Sequence, residues 1–271
     1  MVRVIAVASG KGGVGKTTVA ANLGVALQML GKKVAIVDCN LTTAHLGLLF
    51  GINSYPATLN DFFKGQMPLK NILYTHFTGL HIVPASLNLE DLIDVDVSNF
   101  KDNLKSSFYD YDVVILDSAP GFGKESLIAL QAADETLFVA TPTIPSLVDV
   151  VKCKNVVRSL KEGPSMLGVI LNRVKGKDYE VTVEDVRGFT GLPVVGVIPE
   201  DENVVESVNR NNVLVISKRQ SPASQAIFRI ATRIGGFPSF SLIPEEFYKK
   251  PNLFKRFINR LKGKFSRTSI V

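Results

Sequence analysis

The stretch SGKGGVGKTT, residues 9–18, constrains this chain more than any other. It fits G-x-x-x-x-G-K-[ST], with Gly10 and Gly15 as the fixed glycines, Lys16 as the phosphate lysine and Thr17 as the hydroxyl that would ligate magnesium. Glycines let successive backbone N–H groups turn toward an anion without a side chain in the way, and a helix that follows presents its positive end to the same charge. That geometry works only between a strand and a helix. Here Val2–Ala8 is an apolar, β-branched run, and Thr17–Leu30 reads as a helix ended by Gly31. The candidate cradle for a nucleoside triphosphate with Mg2+ is therefore Gly10, Lys11, Gly12, Gly13, Val14, Gly15, Lys16, Thr17 and Thr18. The loop carries a second lysine, Lys11, that a phosphate cradle does not ordinarily need.

Apolar runs recur along the rest of the chain: RVIAVAS, KVAIVD, LHIVPAS, DVVILD, ETLFVAT, MLGVILN and VVGVI, separated by helical or loop segments. Near-continuous Val/Ile/Leu runs suit strands buried on both faces, so the alternation predicts an α/β fold, a mostly parallel sheet flanked by helices on both faces. Ligands in that architecture bind at the carboxyl ends of the strands. Helices are predicted over Thr17–Leu30, after Lys124, and over Ser146–Leu160, Val181–Phe189, Asn203–Arg210 and Pro222–Ile234. The 271 residues suffice for one large domain, taken as residues 1–235, followed by a linker over 236–250. No apolar segment approaches the roughly 20 residues of a spanning helix, and the N-terminus opens straight into a strand, so a cytoplasmic location is expected. Cys39 and Cys153 are isolated, which argues against a disulfide framework or a cysteine-bridged metal cluster and leaves plain buried residues.

A phosphate loop needs a carboxylate nearby to organise magnesium. Asp117 ends the strand YDVVILD and is the best candidate; Asp38 ends KKVAIVD in the same way and would add an outer-shell carboxylate. Capping or turn formation is the alternative role for either.

Taken together, GKGGVGKTT, VDCNLTTAHLGLLFG, VILDSAPG and VGVIPEDENV resemble the MinD/ParA family of deviant Walker A ATPases, on its MinD side, over residues 1–235. The resemblance implies a P-loop NTPase of the SIMIBI type that binds and hydrolyses ATP with Mg2+ and dimerises when ATP is bound. It implies that Lys11 reaches the nucleotide of the partner subunit, coupling closure of the dimer to hydrolysis, while Lys16 serves its own. It places Asn172, Pro199, Glu200 and Asp201 around the base, although IPED also reads as a proline-bounded turn with a helix cap. One position departs from the pattern: where the family has D-x-D, this chain has Asp38-Cys39-Asn40. Asparagine orients water through its carbonyl oxygen but accepts no proton, so hydrolysis is expected to be slow or to depend on an activating partner, unless Asn40 is an ordinary loop residue.

The net charge of +6 sits at one end. From Lys249 onward there are eight basic residues and no acidic one, which leaves 23 basic against 25 acidic residues before it. Within residues 251–267, Leu253, Phe254, Phe257, Ile258, Leu261 and Phe265 fall within an arc of about 140° at helical spacing. Lys255, Arg256, Asn259, Arg260 and Lys262 face the other way. That pattern suits an amphipathic helix lying on an anionic membrane, peripheral on the inner face of the cell membrane, with protein cargo recruited there. Packing on the domain and non-specific DNA binding are the alternatives; DNA is the less favoured because phosphate contacts do not use large apolar residues.

Overall fold

Residues of β1 alternate between two separate cores: Val4, Ala6 and Ala8 enter one, Ile5 and Val7 the other. Burial on both faces is why its sequence reads as an unbroken apolar run. The computed structural model describes residues 1–52, 54–86 and 99–238. In chain order, β1 (Arg3–Ala8) feeds α1 (Lys16–Met29), followed by β2 (Val34–Cys39), α2 (Leu46–Leu49), α3 (Leu59–Phe63), a 3-10 turn over Leu69–Asn71, β3 (Tyr74–Thr75) and β4 (His81–Val83). Strictly alternating elements follow: α4 (Phe100–Ser107), β5 (Val113–Ser118), α5 (Lys124–Ala132), β6 (Glu135–Ala140), α6 (Ile144–Ser159), β7 (Ser165–Val174), α7 (Val183–Thr190) and β8 (Val194–Pro199). The described chain closes with α8 (Glu202–Asn209), α9 (Leu214–Ser217) and α10 (Pro222–Ile234).

The eight strands form one sheet in the order β3-β4-β2-β5-β1-β6-β7-β8. All neighbours are parallel except the edge pair β3 and β4. Leu23 and Leu27 of α1 pack with Ile227 and Ile230 of α10 over one face; Leu104, Ile128, Leu147 and Val186, from α4 to α7, cover the other. Because the strands are parallel, the carboxyl ends of β1, β2, β5, β7 and β8 share one rim, and the conspicuous polar residues gather there.

The mostly parallel, doubly covered sheet is the predicted architecture. Differences lie at element ends. α6 starts two residues before the predicted Ser146, with Pro145 in its first turn, where the missing N–H is not needed. α7 starts at Val183, because Thr182 and Asp185 close a capping box that leaves Val181 outside. The helices α2, α3, α4 and α9 and the strand β3 are outside the predicted set: at two to five residues α2, α3, α9 and β3 are too short to show a period, and α4 carries only two apolar residues, Phe100 and Leu104, among its eight. Cys39 and Cys153 are buried free thiols, and burial pushes both pKa values up, Cys153 to about 12. Among the described residues no helix is long and apolar enough to cross a membrane. The predicted membrane helix over 251–267, with Leu253, Phe254, Phe257, Ile258, Leu261 and Phe265, and most of the linker over 236–250 lie outside the described residues.

Candidate nucleotide site

The loop after β1 turns through left-handed backbone at Gly13 (φ 79°) and Gly15 (φ 87°), which a side chain would strain. It is held on three sides. Gly121 N–H, from the segment after β5, donates to the Ser9 carbonyl at 2.9 Å. Gly10 lies so close to α6 that a Cβ there would stand 2.4 Å from Asp149 Cβ and 3.0 Å from its carbonyl oxygen. On the far side the Asn172 amide, at the end of β7, donates to the Val14 carbonyl at 2.8 Å. The first turn of α1 carries no acidic residue, so nothing in that turn neutralises its positive end.

Lys16 is 6% exposed and its Nζ lies 2.6 Å from Asp117 Oδ1. Asp117 is fully buried, and its Oδ2 has no partner. β2 and β5 are neighbours in a register that sets Asp38 beside Asp117, two carboxylates on adjacent strand ends. Burial, then the Asp117 charge, raise the Asp38 pKa to about 7, against the backbone N–H of Asn40, the charge of Lys16 and the N–H of Leu46. Two buried carboxylates, one with an orphaned oxygen, next to the partly buried Thr17 hydroxyl are hard oxygen donors of the kind Mg2+ takes alongside phosphate. Among the described residues there is no cluster of three or more His, Cys, Asp or Glu able to cage an ion alone. The donor set therefore fits a cation that arrives with phosphate.

Two clefts meet at the loop. A cavity of about 280 Å³ is lined by Ser9, Lys11, Gly12, Lys16 and Thr17 together with Asn40, Thr43, His45 and Pro120. A second, of about 220 Å³ and mainly apolar, is walled by Asn172, Arg173 and residues 198–201 on one side and by Val19, Val204, Val208, Leu214 and Ile227 on the other. Both include Gly13, Gly15 and Thr18. One side offers backbone amides and lysines, the other a mainly apolar slot.

Of the first motif, Lys11 through Thr18 line these clefts, as do Asn172, Pro199, Glu200 and Asp201, whereas Gly10 packs against Asp149 of α6. Their side chains are employed differently. The Asn172 amide is spent on the loop backbone, and the Asp201 carboxylate accepts from Asn203 N–H at 3.0 Å and Ala223 N–H at 3.1 Å, capping two helices. Asn40 is tied into its own loop with Thr43. Lys11 stands exposed at the outer lip of the polar cavity. Arg173, His45 and the valines of α8 went unnoticed in the sequence. The spacing of Val204 and Val208 is helical and would have marked an apolar face, but nothing local says what that face covers.

A parallel α/β sheet with a phosphate loop after its first strand, carboxylates at the ends of β2 and β5 and an apolar slot at the ends of β7 and β8 defines a P-loop nucleotide-binding protein. Residues 5–215 match the CobQ/CobB/MinD/ParA nucleotide binding domain. The chain is 36% identical over 264 residues to an uncharacterized ATP-binding protein of Methanocaldococcus jannaschii, covering 97% of this chain and 98% of that one. Two solved structures resemble it: the septum site-determining protein MinD complexed with Mg-ADP from Pyrococcus horikoshii (34% identity, TM-score 0.81, 86% of this chain and 96% of that one) and the Pyrococcus furiosus cell division ATPase MinD (32%, 0.82, 87% and 99%). This chain belongs to the MinD/ParA family of nucleotide-binding proteins and is MinD-like in sequence and structure.

Proposed function

We propose that this protein is a MinD-like ATPase that binds Mg-ATP, closes into a homodimer through its nucleotide sites, and associates reversibly with the inner face of the cell membrane to position other proteins. The observation that carries the reading is the pair of joined clefts, polar on the lysine side and apolar on the other, meeting at Gly13, Gly15 and Thr18. The relatives support it, one named an ATP-binding protein, one solved as a complex with Mg-ADP and one named a cell division ATPase.

In this reading the amides of the loop and the N-terminus of α1 hold the phosphates, and Lys16 exchanges its contact with Asp117 for a phosphate oxygen. Thr17, Asp117 and, from the outer shell, Asp38 would hold Mg2+, which when bound neutralises charge building up on the phosphates. Lys11 acts on the partner's nucleotide, so turnover waits for the dimer. Asn40 supplies no base, and hydrolysis is slow until a protein activator contributes one or orders the attacking water.

The tail then couples nucleotide to location. Gly263 costs a helix roughly 1 kcal/mol, and a helix this short is marginal in water, so residues 251–267 fold on contact with lipid. One copy binds weakly, and two on a closed dimer bind together through their effective concentration. Co-sedimentation with anionic liposomes in ATP and in ADP, for the full chain and for one truncated before Lys249, tests this. Pelleting that needs ATP, anionic lipid and the tail is the expected result. A full chain that stays in the supernatant with both nucleotides, or that pellets equally without its tail, overturns the membrane reading; salt-sensitive DNA retention would then favour the partition ATPases.

A further inference from the structure

We propose that Arg173 and Glu200 form a clasp that fixes the width of the apolar slot, making Arg173 a positioning residue for the base of the nucleotide and not for its phosphates. The inference rests on the reading of the two clefts as one nucleotide site.

Three independent features meet at Arg173. In the β7–β8 ladder Asn172 pairs with Ile198 and Val174 with Pro199, so Arg173 is an extra residue, a β-bulge at the site's rim. Its backbone is left-handed, φ 63°, a conformation that is strained for a non-glycine residue and recurs where function demands it. Its guanidinium meets Glu200 with two hydrogen bonds, Nε to Oε2 at 3.0 Å and Nη2 to Oε1 at 3.2 Å.

The bulge gives neighbouring residues opposite tasks. Asn172 turns toward the phosphate loop and donates to the Val14 carbonyl; Arg173 turns toward the strand end that walls the slot. Glu200 N–H donates to the Val174 carbonyl at 2.9 Å, closing the ladder just past the bulge. On its other side the wall is pinned by Asp201, whose carboxylate holds the first turns of α8 and α10. Residues 199–201 are thus secured from two directions, and Arg173 is one of them. The pair is half exposed, with side-chain exposures of 52% and 30%, so it adds little to global stability. What it secures is the placement of one wall of a slot.

Titration calorimetry on the full-length protein separates a base effect from a phosphate effect. The ligands are Mg-ATP and magnesium with inorganic tripolyphosphate, which has no base; the proteins are wild type, Arg173→Ala, Arg173→Gly, Glu200→Gln and the Arg173→Ala/Glu200→Gln double variant. Each single variant is expected to weaken Mg-ATP by roughly three- to tenfold, the double variant no more than either, with tripolyphosphate changed less than about twofold. Arg173→Gly relieves the left-handed backbone and should melt above Arg173→Ala yet show the same loss for Mg-ATP. Glu200→Gln leaves the bulge untouched, so it reports on the clasp even if Arg173 variants fold poorly. Unchanged Mg-ATP affinity in Glu200→Gln, or parallel weakening of both ligands, overturns the clasp. A wild-type protein that binds tripolyphosphate as tightly as Mg-ATP overturns the reading of the slot itself, a result the variants cannot mimic.

Discussion

The amide of Asn40 is spent within its own loop: Nδ2 donates to the Thr43 carbonyl at 2.6 Å and Oδ1 accepts from Thr43 Oγ1 at 3.1 Å. From residue type alone, Asn40 had two equal readings, a weak substitute for a water-orienting carboxylate or a plain loop residue. These contacts hold the side chain within its loop, at the wall of the phosphate cavity. An aspartate there would place a lone pair against the Thr43 carbonyl and turn away from it. Asn40→Asp is accordingly expected to cost about 1 kcal/mol in urea unfolding, for one hydrogen bond lost. The released carboxylate faces the polar cavity, so steady-state Mg-ATP turnover should rise; an unchanged or lower rate in a folded, ATP-binding variant would count against this. Arg173 is the opposite case, a residue with no mark in the sequence. Whether a strand bulges depends on how its neighbour's register is met, and that neighbour's pairing residues lie more than twenty positions away.

At the level of elements, Asp201 does more than its place in a motif suggests, because its carboxylate starts α8 and secures the first turn of α10 at once. Burial pushes its pKa up, but the N–H of Ala223, the side chain and backbone of Asn203 and the Ser221 hydroxyl together outweigh burial and hold it below the usual 3.8. A carboxyl depressed in the folded state contributes stability that is complete above its unfolded value and is lost as the pH falls through the folded one. Asp201→Asn keeps one capping oxygen and loses the charge. Near neutral pH it should destabilise by at most about 1 kcal/mol, since solvent screens a partly exposed carboxylate, and the deficit should shrink below about pH 4. Parallel urea titrations of the two proteins at several pH values check this; a deficit that stays constant into acid would refute it. The long elements were legible because their periods repeat. Pro222–Ile234 was read at its observed bounds, with Ser221 accepting the Ser224 N–H as its cap. The short pieces between β2 and β4 are not, since so few residues carry no period and tertiary packing places them: α3 sets Phe63 against Phe100, ring centroids 5.0 Å apart, while Leu46 and Leu49 of α2 enter the core on the other face of the sheet.

For the molecule as a whole, Lys11 is the residue whose proposed task lies outside its own chain. It is exposed at the lip of the polar cavity while Lys16 sits buried beneath it. If Lys11 serves the partner's nucleotide, turnover per molecule should rise with protein concentration in the wild type. In Lys11→Ala that rise should vanish, with turnover at high concentration down at least about tenfold and Mg-ATP still bound. Steady-state assays over a range of protein concentrations, paired with sedimentation velocity, read both quantities; wild-type turnover independent of concentration would remove the role in trans.

Local rules were enough to reveal the phosphate loop, the parallel α/β class, and aspartates placed at the ends of strands, because glycine sterics, apolar runs and turn chemistry act over a few residues. Strand order is another matter. Nothing in a linear reading says that β2 lies against β5, seventy-odd residues on, and it is this pairing that brings Asp38 beside Asp117 in the core, where burial first and the Asp117 charge second lift its pKa. In the same way only the folded sheet turns Asn172 onto the Val14 carbonyl and Arg173 onto Glu200. Contacts of that kind are settled by which faces pack and which registers close, a balance struck over the whole core and therefore absent from any short stretch of chain.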